Sequence, residues 1–347
     1  MTSDREIQLS VVLPNFNHGS FLARALTAIL QQEPAPDEVI VVDDGSTDDS
    51  VSIAHEFAAR SSAVRVLVNA TNEGVVPAMQ RGLDASRGRY VYFAASDDWV
   101  LAGFFALAVR TLRDHPEAGL FCGEAIVIDG VTGEHKGLRP AVRPASRSCY
   151  VGPTSTRKLL GRIDNWMLTG SSLFRRDAIV GAGGLQVELG AFADGFLARK
   201  IALTHGFCFA PSIVYVWRVF LDGISRTTAL DPESAARILQ TVPNWIERDP
   251  AFPEWYPHLF GRRWRFAVSH LALYNMPVNR SLLLSLGATS SFDAAIISAV
   301  LAAFPQRLAR PLILSWLWMR LRPTSLLGLM STKIQRWTER ARKVHSP

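Results

Sequence analysis

The 347-residue chain contains only three cysteines, Cys122, Cys149 and Cys208, and they lie far apart in the sequence. It contains no CxxC pair and no cysteine–histidine spacing typical of a zinc site. Three thiols cannot all pair with one another, so we expect free, buried thiols and a reducing compartment. The polar start MTSDREIQLS leads directly into a strand-like run, and we therefore expect no signal peptide.

Long apolar runs are also missing. A membrane-spanning helix needs about 20 consecutive apolar residues. AAIISAVLAAF (294–304) has eleven before Pro305 interrupts it, and LILSWLWM (312–319) is shorter. Neither run predicts a membrane span.

Acidic residues are scarce in the tail of the chain. From Pro305 to Pro347 there are nine lysines and arginines and one acid, Glu339, whereas the whole chain has a net charge of +6. The tail carries +8, so the remainder is slightly negative. Because the positive charge is confined to the tail, we expect no general nucleic-acid surface and no nucleic-acid partner.

The first 130 residues alternate between strand-like and helical patterns. Each strand-like run is short, apolar and rich in β-branched or aromatic residues, which is typical of a strand buried on both faces. The apolar residues between the runs repeat at helical spacing, and Ser46 or Thr47 is expected to cap the second helix. Repeated β-α-β units predict a mostly parallel sheet flanked by helices. The four predicted strands are 9–13, 38–42, 64–68 and 90–94.

The pattern is mixed as far as about residue 220 and helical after Asp231. The predicted elements in this part are a hairpin around Asp129-Gly130, a long loop over 133–156, a strand over 169–174 and a helix from Ala193 to His205.

Polar residues follow each of the first four predicted strands, where ligands of parallel sheets bind. Asp43 and Asp44 end the second strand and can hydrogen-bond a base or a ribose, or they can belong to a helix-capping cluster. Asp97 and Asp98 follow the fourth strand, and such hard oxygen ligands suit Mg²⁺ or Mn²⁺. The alternative for this second pair is a solvated turn.

The four polar blocks in their order and spacing resemble the donor half of family 2 glycosyltransferases. The segments are VVLPNFNHGSFLARALTAILQQ, DEVIVVDDGSTDDS and NEGVVPAMQRGLDASRGRYVYFAASDDW. The match is nearly continuous over residues 9–100 and looser to about residue 220. The resemblance implies a GT-A fold, a nucleotide-diphospho-sugar donor, a bound Mg²⁺ or Mn²⁺ and inversion at the anomeric carbon.

The resemblance also implies roles for single residues in binding the donor. Asp43 and Asp44 match acids that contact the base and ribose, and Asp97 matches the acid that holds the metal, with Asp98 beside it. The remaining donor-binding positions that it implies are Pro14, Asn15, Asn17, Asn72 and Gly74.

The chain departs from the family pattern at two acidic positions. The usual D-x-D-D motif reads Ala95-Ser96-Asp97-Asp98, so its first acid is missing. The usual Glu-Asp pair at the start of a later helix reads Ala193-Asp194. The retained Asp194 is implied to be the general base that deprotonates the acceptor hydroxyl. The alternative for Asp194 is a helix N-terminal acid favoured by the helix dipole.

Five further positions are weaker predictions, because packing explains each of them equally well. Gly170 and Ser171 lie on the strand expected to floor the acceptor site, and Trp99 can stack on a sugar. Trp217-Arg218 matches an aromatic-Arg pair near the diphosphate, although the histidine that often follows is absent.

The last predicted helix places Leu326, Met330, Ile334 and Trp337 on one stripe. Lys333, Arg336, Arg340 and Lys343 lie alongside that stripe. An apolar face flanked by cations predicts a helix at an anionic membrane surface. The alternative is a helix packed on the catalytic domain or on another subunit.

The sequence therefore predicts a GT-A catalytic domain over residues 1–225 and a helical region over residues 226–347. The predicted protein is cytoplasmic and peripheral on the inner face of the membrane, with a glycan or lipid-linked acceptor in cell-surface polysaccharide or lipid-linked glycan synthesis. Two alternatives remain open, a sugar nucleotidyltransferase and a non-catalytic nucleotide-sugar-binding or scaffold protein. The second is motivated by Ala95 and Ala193.

Overall fold

The computed structural model describes residues 8–344, apart from the side chains of Ser225, Met276, Pro277 and residues 340–344. The chain forms two compact units. The sheet unit contains the described residues up to Leu159, Asp164–Phe220 and the helix from Ser331 onward. The helical unit contains Leu160–Ile163 and Leu221–Met330. The division lies close to the predicted boundary after residue 225, but the tail returns to the sheet unit.

The sheet unit is built on one mixed sheet. Its strands are β1 (Leu9–Asn15), β2 (Glu38–Asp43), β3 (Val64–Val68), β4 (Tyr90–Phe93), β5 (Trp99–Val100), β6 (Leu120–Asp129), β7 (His135–Arg139), β8 (Cys149–Val151), β9 (Ser172–Arg175) and β10 (Phe207–Val219). Their order is β3-β2-β1-β4-β9-β6-β10-β5, with β7 beside β6 and β8 beside β10. The first four strands in this order are parallel, and β9 is antiparallel to both of its neighbours.

Helices connect these strands and cover the sheet. They are α1 (Gly19–Leu30), α2 (Ser50–Arg60), α3 (Val75–Ala85), α4 (Phe104–Asp114), α5 (Pro153–Leu160), α6 (Arg176–Gly181) and α7 (Ala193–His205), with 3-10 segments at Thr169–Ser171 and Val187–Phe192.

The core of the sheet unit lies around β1, which has a parallel neighbour on each side. Val11, Val12 and Leu13 have no exposed surface, and Leu22 and Leu26 of α1 pack onto one face of the strand. Burying each such aliphatic side chain contributes about 1.5–3 kcal/mol. The continuous apolar runs therefore form the buried parallel strands that the sequence predicts.

The register of β1 aligns the carboxyl ends of the parallel strands. Asn15 at the end of β1 pairs with Asp43 at the end of β2. Val12 pairs with Phe93 at the end of β4. The polar residues that follow these strands therefore emerge at one edge of the sheet.

Two local predictions were wrong. Residues 133–156 are not one long loop, because β7 pairs with β6 and β8 pairs with β10. β7 is the second strand of the hairpin predicted around Asp129-Gly130, whereas β8 is formed by pairing with β10, a strand distant in sequence that its own composition does not signal. The N-cap of α2 is Asp49 rather than Ser46 or Thr47, because the backbone N–H of Ser46 donates to Asp43 in the preceding turn.

The helical unit follows β10. It contains α8 (Ile224–Leu230), α9 (Pro232–Arg248), α10 (Tyr256–Ala272), α11 (Met276–Leu282), a π-helical segment (Leu283–Gly287), α12 (Ser291–Ala303), α13 (Gln306–Leu321) and the start of α14 (Leu326–Val344). Within the described residues, none of the helices is both long enough and apolar enough to cross a membrane.

The second part of α14 is held to the sheet unit by a buried ionic cluster. Glu124 of β6, whose side chain is 1% exposed, accepts bonds from the guanidinium groups of Arg143 and Arg336. Arg143 also binds Glu339, and its backbone N–H donates to the Thr332 hydroxyl at 3.0 Å. Arg336, which the sequence places among the cations alongside the apolar stripe, therefore binds Glu124 of the sheet unit. The positive charge of Arg336 is paired with the buried Glu124 carboxylate.

Candidate active site

Asp43 organises the loops that follow β1 and β2. Its Oδ2 accepts hydrogen bonds from the Asn15 amide at 2.9 Å and the Ser46 hydroxyl at 2.7 Å, and its Oδ1 accepts from the Ser46 backbone N–H at 2.8 Å. The carboxylate is fully buried, and several donors offset the cost of removing it from water. Pro14 and Asn15 are buried beside it on β1.

Asp44 fixes the segment that follows β3. Its oxygens accept bonds from the Asn69 amide and from the backbone N–H groups of Glu73 and Gly74 at 2.6, 3.0 and 2.7 Å. Gly74 has a φ of +101°, a region that favours glycine. Asp44 is 2% exposed, whereas Asn72 is exposed beside it. In this structure the two acids therefore shape the edge of the sheet, and the segment around Asn72 provides its open surface.

Asn17 lies in the loop after β1, at the surface next to the loop that follows β2. It is an exposed residue with a φ of +53°, a conformation that asparagine tolerates better than most residues. Its side-chain oxygen accepts from the Thr47 backbone N–H at 2.8 Å, and its own N–H donates to the Ser46 hydroxyl at 2.9 Å. The first two loops are thus tied together by side chains. Ser46, Thr47 and Asn69 were missed as site residues, although Ser46 lies within the DDGS block.

The two acids after β4 have different environments. Asp98 is buried, and it accepts bonds from the backbone N–H of Arg218 at 2.6 Å and from the Tyr215 hydroxyl. Burial, followed by the charge of Asp97, raises the pKa of Asp98 to about 8. Asp97 is half-buried, and no described residue donates a hydrogen bond to its carboxylate. Asp97 is therefore the acid that is free to meet a ligand.

The carboxylate of Asp97 fits a hard divalent cation, although the protein supplies few further ligands. Among the described residues, no group of three or more His, Cys, Asp or Glu side chains could hold a metal ion. Mg²⁺ is often bound through only one or two carboxylates, with substrate phosphates and water completing its coordination. Asp97 can meet that requirement, whereas each oxygen of Asp98 already accepts one hydrogen bond from the protein.

Asp194 lies in the first turn of α7 and is half-buried. Its Oδ2 accepts a hydrogen bond from the Thr169 hydroxyl at 2.6 Å, and its Oδ1 accepts from the Gly195 backbone N–H at 2.6 Å. These donors orient the carboxylate. Sequence reasoning missed Thr169, since nothing in its local pattern indicates a partner 25 residues away.

A short turn connects Asp194 with the acids after β4. Thr169, which binds Asp194, is followed by Gly170, whose carbonyl accepts from the Tyr92 hydroxyl at 2.9 Å. A Cβ atom at Gly170 would lie 2.1 Å from the Tyr215 ring, and the Tyr215 hydroxyl binds Asp98. The predicted metal acids and the predicted base therefore belong to one packed assembly.

The other weakly predicted residues occupy varied positions. Ser171 is buried, and its hydroxyl donates to the Gly123 and Leu168 carbonyls at 3.2 and 3.1 Å, which indicates a structural role. Trp217 packs against the core of the sheet unit. Trp99 and Arg218 lie at the β5–β10 edge next to Asp98.

Comparison with known proteins identifies the family that the chain matches. Residues 10–180 match the model of glycosyl transferase family 2. An uncharacterized Mycobacterium tuberculosis protein is 26% identical over 250 residues, which cover 71% of this chain and 77% of that protein. The uncharacterized glycosyltransferase YibD of Escherichia coli is 30% identical over 174 residues, and the match spans 50% of each chain.

Solved structures show the same fold. S. aureus TarS 1-349 in complex with UDP-GlcNAc has a TM-score of 0.60 at 16% identity, with 84% of this chain and 79% of that chain covered. The mannosyltransferase PcManGT of Pyrobaculum calidifontis, in complex with GDP-Man and Mn²⁺, has a TM-score of 0.55 at 20% identity. That match covers 95% of this chain and 88% of the mannosyltransferase.

Proposed function

Since this chain belongs to glycosyl transferase family 2, we propose that it moves a sugar from a nucleotide-diphosphate donor onto an acceptor hydroxyl with inversion. The packed connection from Asp97-Asp98 through Tyr215 and Gly170 to Asp194 is the observation that carries this proposal. It joins a free carboxylate suited to a metal–diphosphate complex to an oriented carboxylate suited to proton abstraction. The family match leaves no support for a sugar nucleotidyltransferase.

Asp194 is proposed as the general base. Its carboxylate receives a hydrogen bond from Thr169 and is oriented at the N-terminus of α7. From there it would accept the acceptor hydroxyl proton as that oxygen attacks the anomeric carbon on the face opposite the diphosphate. A single displacement of this kind inverts the anomeric configuration.

The donor is proposed to lie along the polar edge of the sheet. Asn17 and Asn72 form the open surface beside the buried Asp43 and Asp44. Asp97 would hold Mg²⁺ or Mn²⁺ together with the donor phosphates, and the bound cation would offset charge on the departing diphosphate. Asp98 would position this edge through its bonds to Tyr215 and Arg218. The nucleotide complexes of TarS and PcManGT support a nucleotide-sugar donor.

A membrane-surface location is proposed from α14. The helix presents an apolar face of Leu326, Leu327, Met330, Ile334 and Trp337, each more than half exposed. The residues that bind the sheet unit, Thr332, Arg336 and Glu339, lie on the opposite side of the helix at spacings of four and three. The exposed Lys333 and the basic tail favour an anionic lipid surface as the occupant of the apolar face.

The acceptor is proposed to be a glycan or a lipid-linked glycan at the inner face of the membrane, as in cell-surface polysaccharide synthesis. A lipid-facing helix would keep the enzyme close to such an acceptor. A glycosyltransferase of Mycobacterium bovis named for PGL/p-HBAD biosynthesis is 30% identical over 119 residues, which gives limited support to this class of pathway.

The proposed function is tested by calorimetric titration with a panel of nucleoside diphosphates, with and without Mn²⁺. We expect metal-dependent binding of one nucleotide, and we expect Asp97→Ala to abolish the metal-dependent part. Asp194→Asn should leave donor binding near normal and lower turnover about a hundredfold or more. Asp177→Asn is a matched control, because Asp177 is an exposed acid in the first turn of α6.

Two outcomes would contradict these assignments. Equal loss of nucleotide binding in Asp97→Ala and Asp194→Asn would show that the two acids do not have separate roles. A folded protein that binds no nucleotide would favour the scaffold alternative and would point to Ala95 as the lost ligand.

A further inference from the structure

The guanidinium groups of Arg24 and Arg218 lie near the acids that follow β4, and the charge of Arg218 acts on Arg24. The Cζ atom of Arg24 lies 3.3 Å from the ring centre of Trp99, and that of Arg218 lies 4.1 Å from the ring centre of Phe21. Phe21 and Arg24 are three residues apart on α1, so they share one face of the helix. Trp99 pairs with Val216, two residues before Arg218. One face of α1 therefore packs its aromatic and cationic groups against those at the β5–β10 edge.

Neither of these two guanidinium groups is in direct contact with a carboxylate of the described residues, although the charge of Arg218 acts on Asp98 and partly offsets the rise in its pKa that burial causes. Among the residues that the structure describes, no ion pair is formed by Arg24 or Arg218. The Arg218 guanidinium donates to the Gly130 carbonyl at 3.0 Å, and only its backbone N–H donates to Asp98. Burial, followed by the charge of Arg218, lowers the pKa of Arg24. Two like charges held close together repel each other, and a bound anion would offset that repulsion.

The family resemblance already implies that Arg218 lies near the diphosphate, and we propose that Arg24, which the resemblance does not implicate, forms a binding site for a phosphate group together with it. A guanidinium offers a planar set of donors that matches phosphate oxygens, and stacking on an aromatic ring fixes its orientation. The backbone of Arg218 lies 2.6 Å from Asp98, which is next to Asp97. The location relative to the donor rests on the proposed function, which places the donor diphosphate at Asp97.

Two sources supply this chemistry. One is the diphosphate of the nucleotide donor, whose charge the two arginines would share with the metal. The other is a phosphate carried by the acceptor. Both require the positive charge of Arg24, whereas a purely structural role requires only that its side chain covers Trp99.

The test is calorimetric titration in EDTA, so that the arginines are measured without the metal. The probes are inorganic pyrophosphate, UDP and GDP, and the variants are Arg24→Gln, Arg24→Lys and the control Arg60→Gln. Arg60 is an exposed helical arginine stacked on Phe57 at 4.9 Å, at the far end of α2. We expect Arg24→Gln to weaken pyrophosphate binding at least about tenfold, Arg24→Lys to weaken it less, and Arg60→Gln to leave it unchanged.

The nucleotide probes identify the source of the phosphate. Weaker binding of UDP or GDP to Arg24→Gln assigns the donor diphosphate. Unchanged nucleotide binding together with weaker pyrophosphate binding assigns a phosphate on the acceptor. If all probes bind Arg24→Gln as they bind the wild type, the inference is overturned and Arg24 only packs on Trp99.

Failure of the proposed function gives a different result. A wild-type protein that binds no nucleoside diphosphate with Mn²⁺ or in EDTA would overturn the assigned donor. Weaker pyrophosphate binding to Arg24→Gln would still support the phosphate site in that case. Thermal melting of each variant checks that it is folded, and Arg24 is exposed enough for its substitution to be tolerated.

Discussion

Replacing Arg143 with methionine would remove the guanidinium that holds Glu124 on β6 and Glu339 on α14. The side chains of Arg143 and Glu124 are 3% and 1% exposed. The Arg143–Glu124 contact has two hydrogen bonds, at 3.0 and 2.6 Å. Methionine preserves much of the length of the side chain and removes its charge, so the substitution tests the ionic contact rather than packing volume.

The expected loss of stability follows from the burial of the pair. Removing one partner of a buried ion pair costs about 3–5 kcal/mol, because the other charge stays buried without its partner. Arg336 would still donate to Glu124, so we expect the lower end of that range. The bond to Glu339, which is 43% exposed, adds little. At about 2–4 °C per kcal/mol for a domain of this size, the melting temperature of the sheet unit should fall by about 6–12 °C.

Scanning calorimetry measures this change, and Arg147→Met provides the control. Arg147 is exposed in the same segment, so its substitution should change stability by no more than about 0.5 kcal/mol. Adding Glu124→Leu to Arg143→Met should recover part of the loss, because the buried carboxylate is then removed, while Arg336 loses its carboxylate partner and still donates to the Pro140 carbonyl. If Arg143→Met has the same melting temperature as the Arg147→Met control, the ionic cluster does not hold α14 to the sheet unit.

Two further predictions concern pH and lipid. In metal-free buffer, the raised pKa of Asp98 means that the folded chain holds this proton more tightly than the unfolded chain, whose carboxyl ionises near 3.8. The stability that Asp98 contributes is therefore complete below about pH 4 and is lost as the pH rises through about 8, and Asp98→Asn should flatten that decline. Identical unfolding profiles for the wild type and Asp98→Asn between these pH values would show that Asp98 is not the titrating group. Replacing Ile334 and Trp337 together by serine should lower binding to anionic vesicles at least about tenfold, because apolar area no longer enters the lipid. Val131→Ser, at an exposed turn, is the control, and vesicle binding that survives the double substitution would contradict the membrane-surface proposal.

Point substitutions in α14 test membrane binding better than truncation does. Deleting residues 306–347 is the simplest way to remove the basic tail. The structure shows that this deletion would also remove Arg336 and Glu339, the partners of the buried Glu124 and Arg143. A truncated protein could therefore lose activity through instability rather than through loss of lipid contact.

The sequence predicted the elements that follow from a local pattern of residues along the chain. β3 and α7 have the predicted bounds, since a run of β-branched residues or a helical period is a local property. The fold class is confirmed by the TM-score of 0.60 with TarS. The placement of polar residues at one edge follows from parallel pairing, which the β-α-β order implies.

What the sequence could not predict depends on partners far apart in the chain. Tyr215 binds Asp98 across 117 residues, and Arg143 binds Glu339 across 196 residues. No periodicity selects one tyrosine or one arginine among many for such a contact. The same holds for Arg24, which is an exposed residue on α1. Its contact with Trp99 and its proximity to the charge of Arg218 are visible only in the structure.

The close contact between Gly170 and the Tyr215 ring has a consequence for how the two halves of the candidate active site respond to substitution. The Tyr215 hydroxyl donates to Asp98, one of the acids after β4. The turn at Gly170 begins with Thr169, whose hydroxyl donates to Asp194. A shift of either half is transmitted to the other through packed atoms. Substitutions at the two ends should therefore be energetically coupled, with combined effects that differ from the sum of the separate ones. Under the proposed roles, changing the acceptor site without disturbing the donor site would require substitutions outside that shared turn.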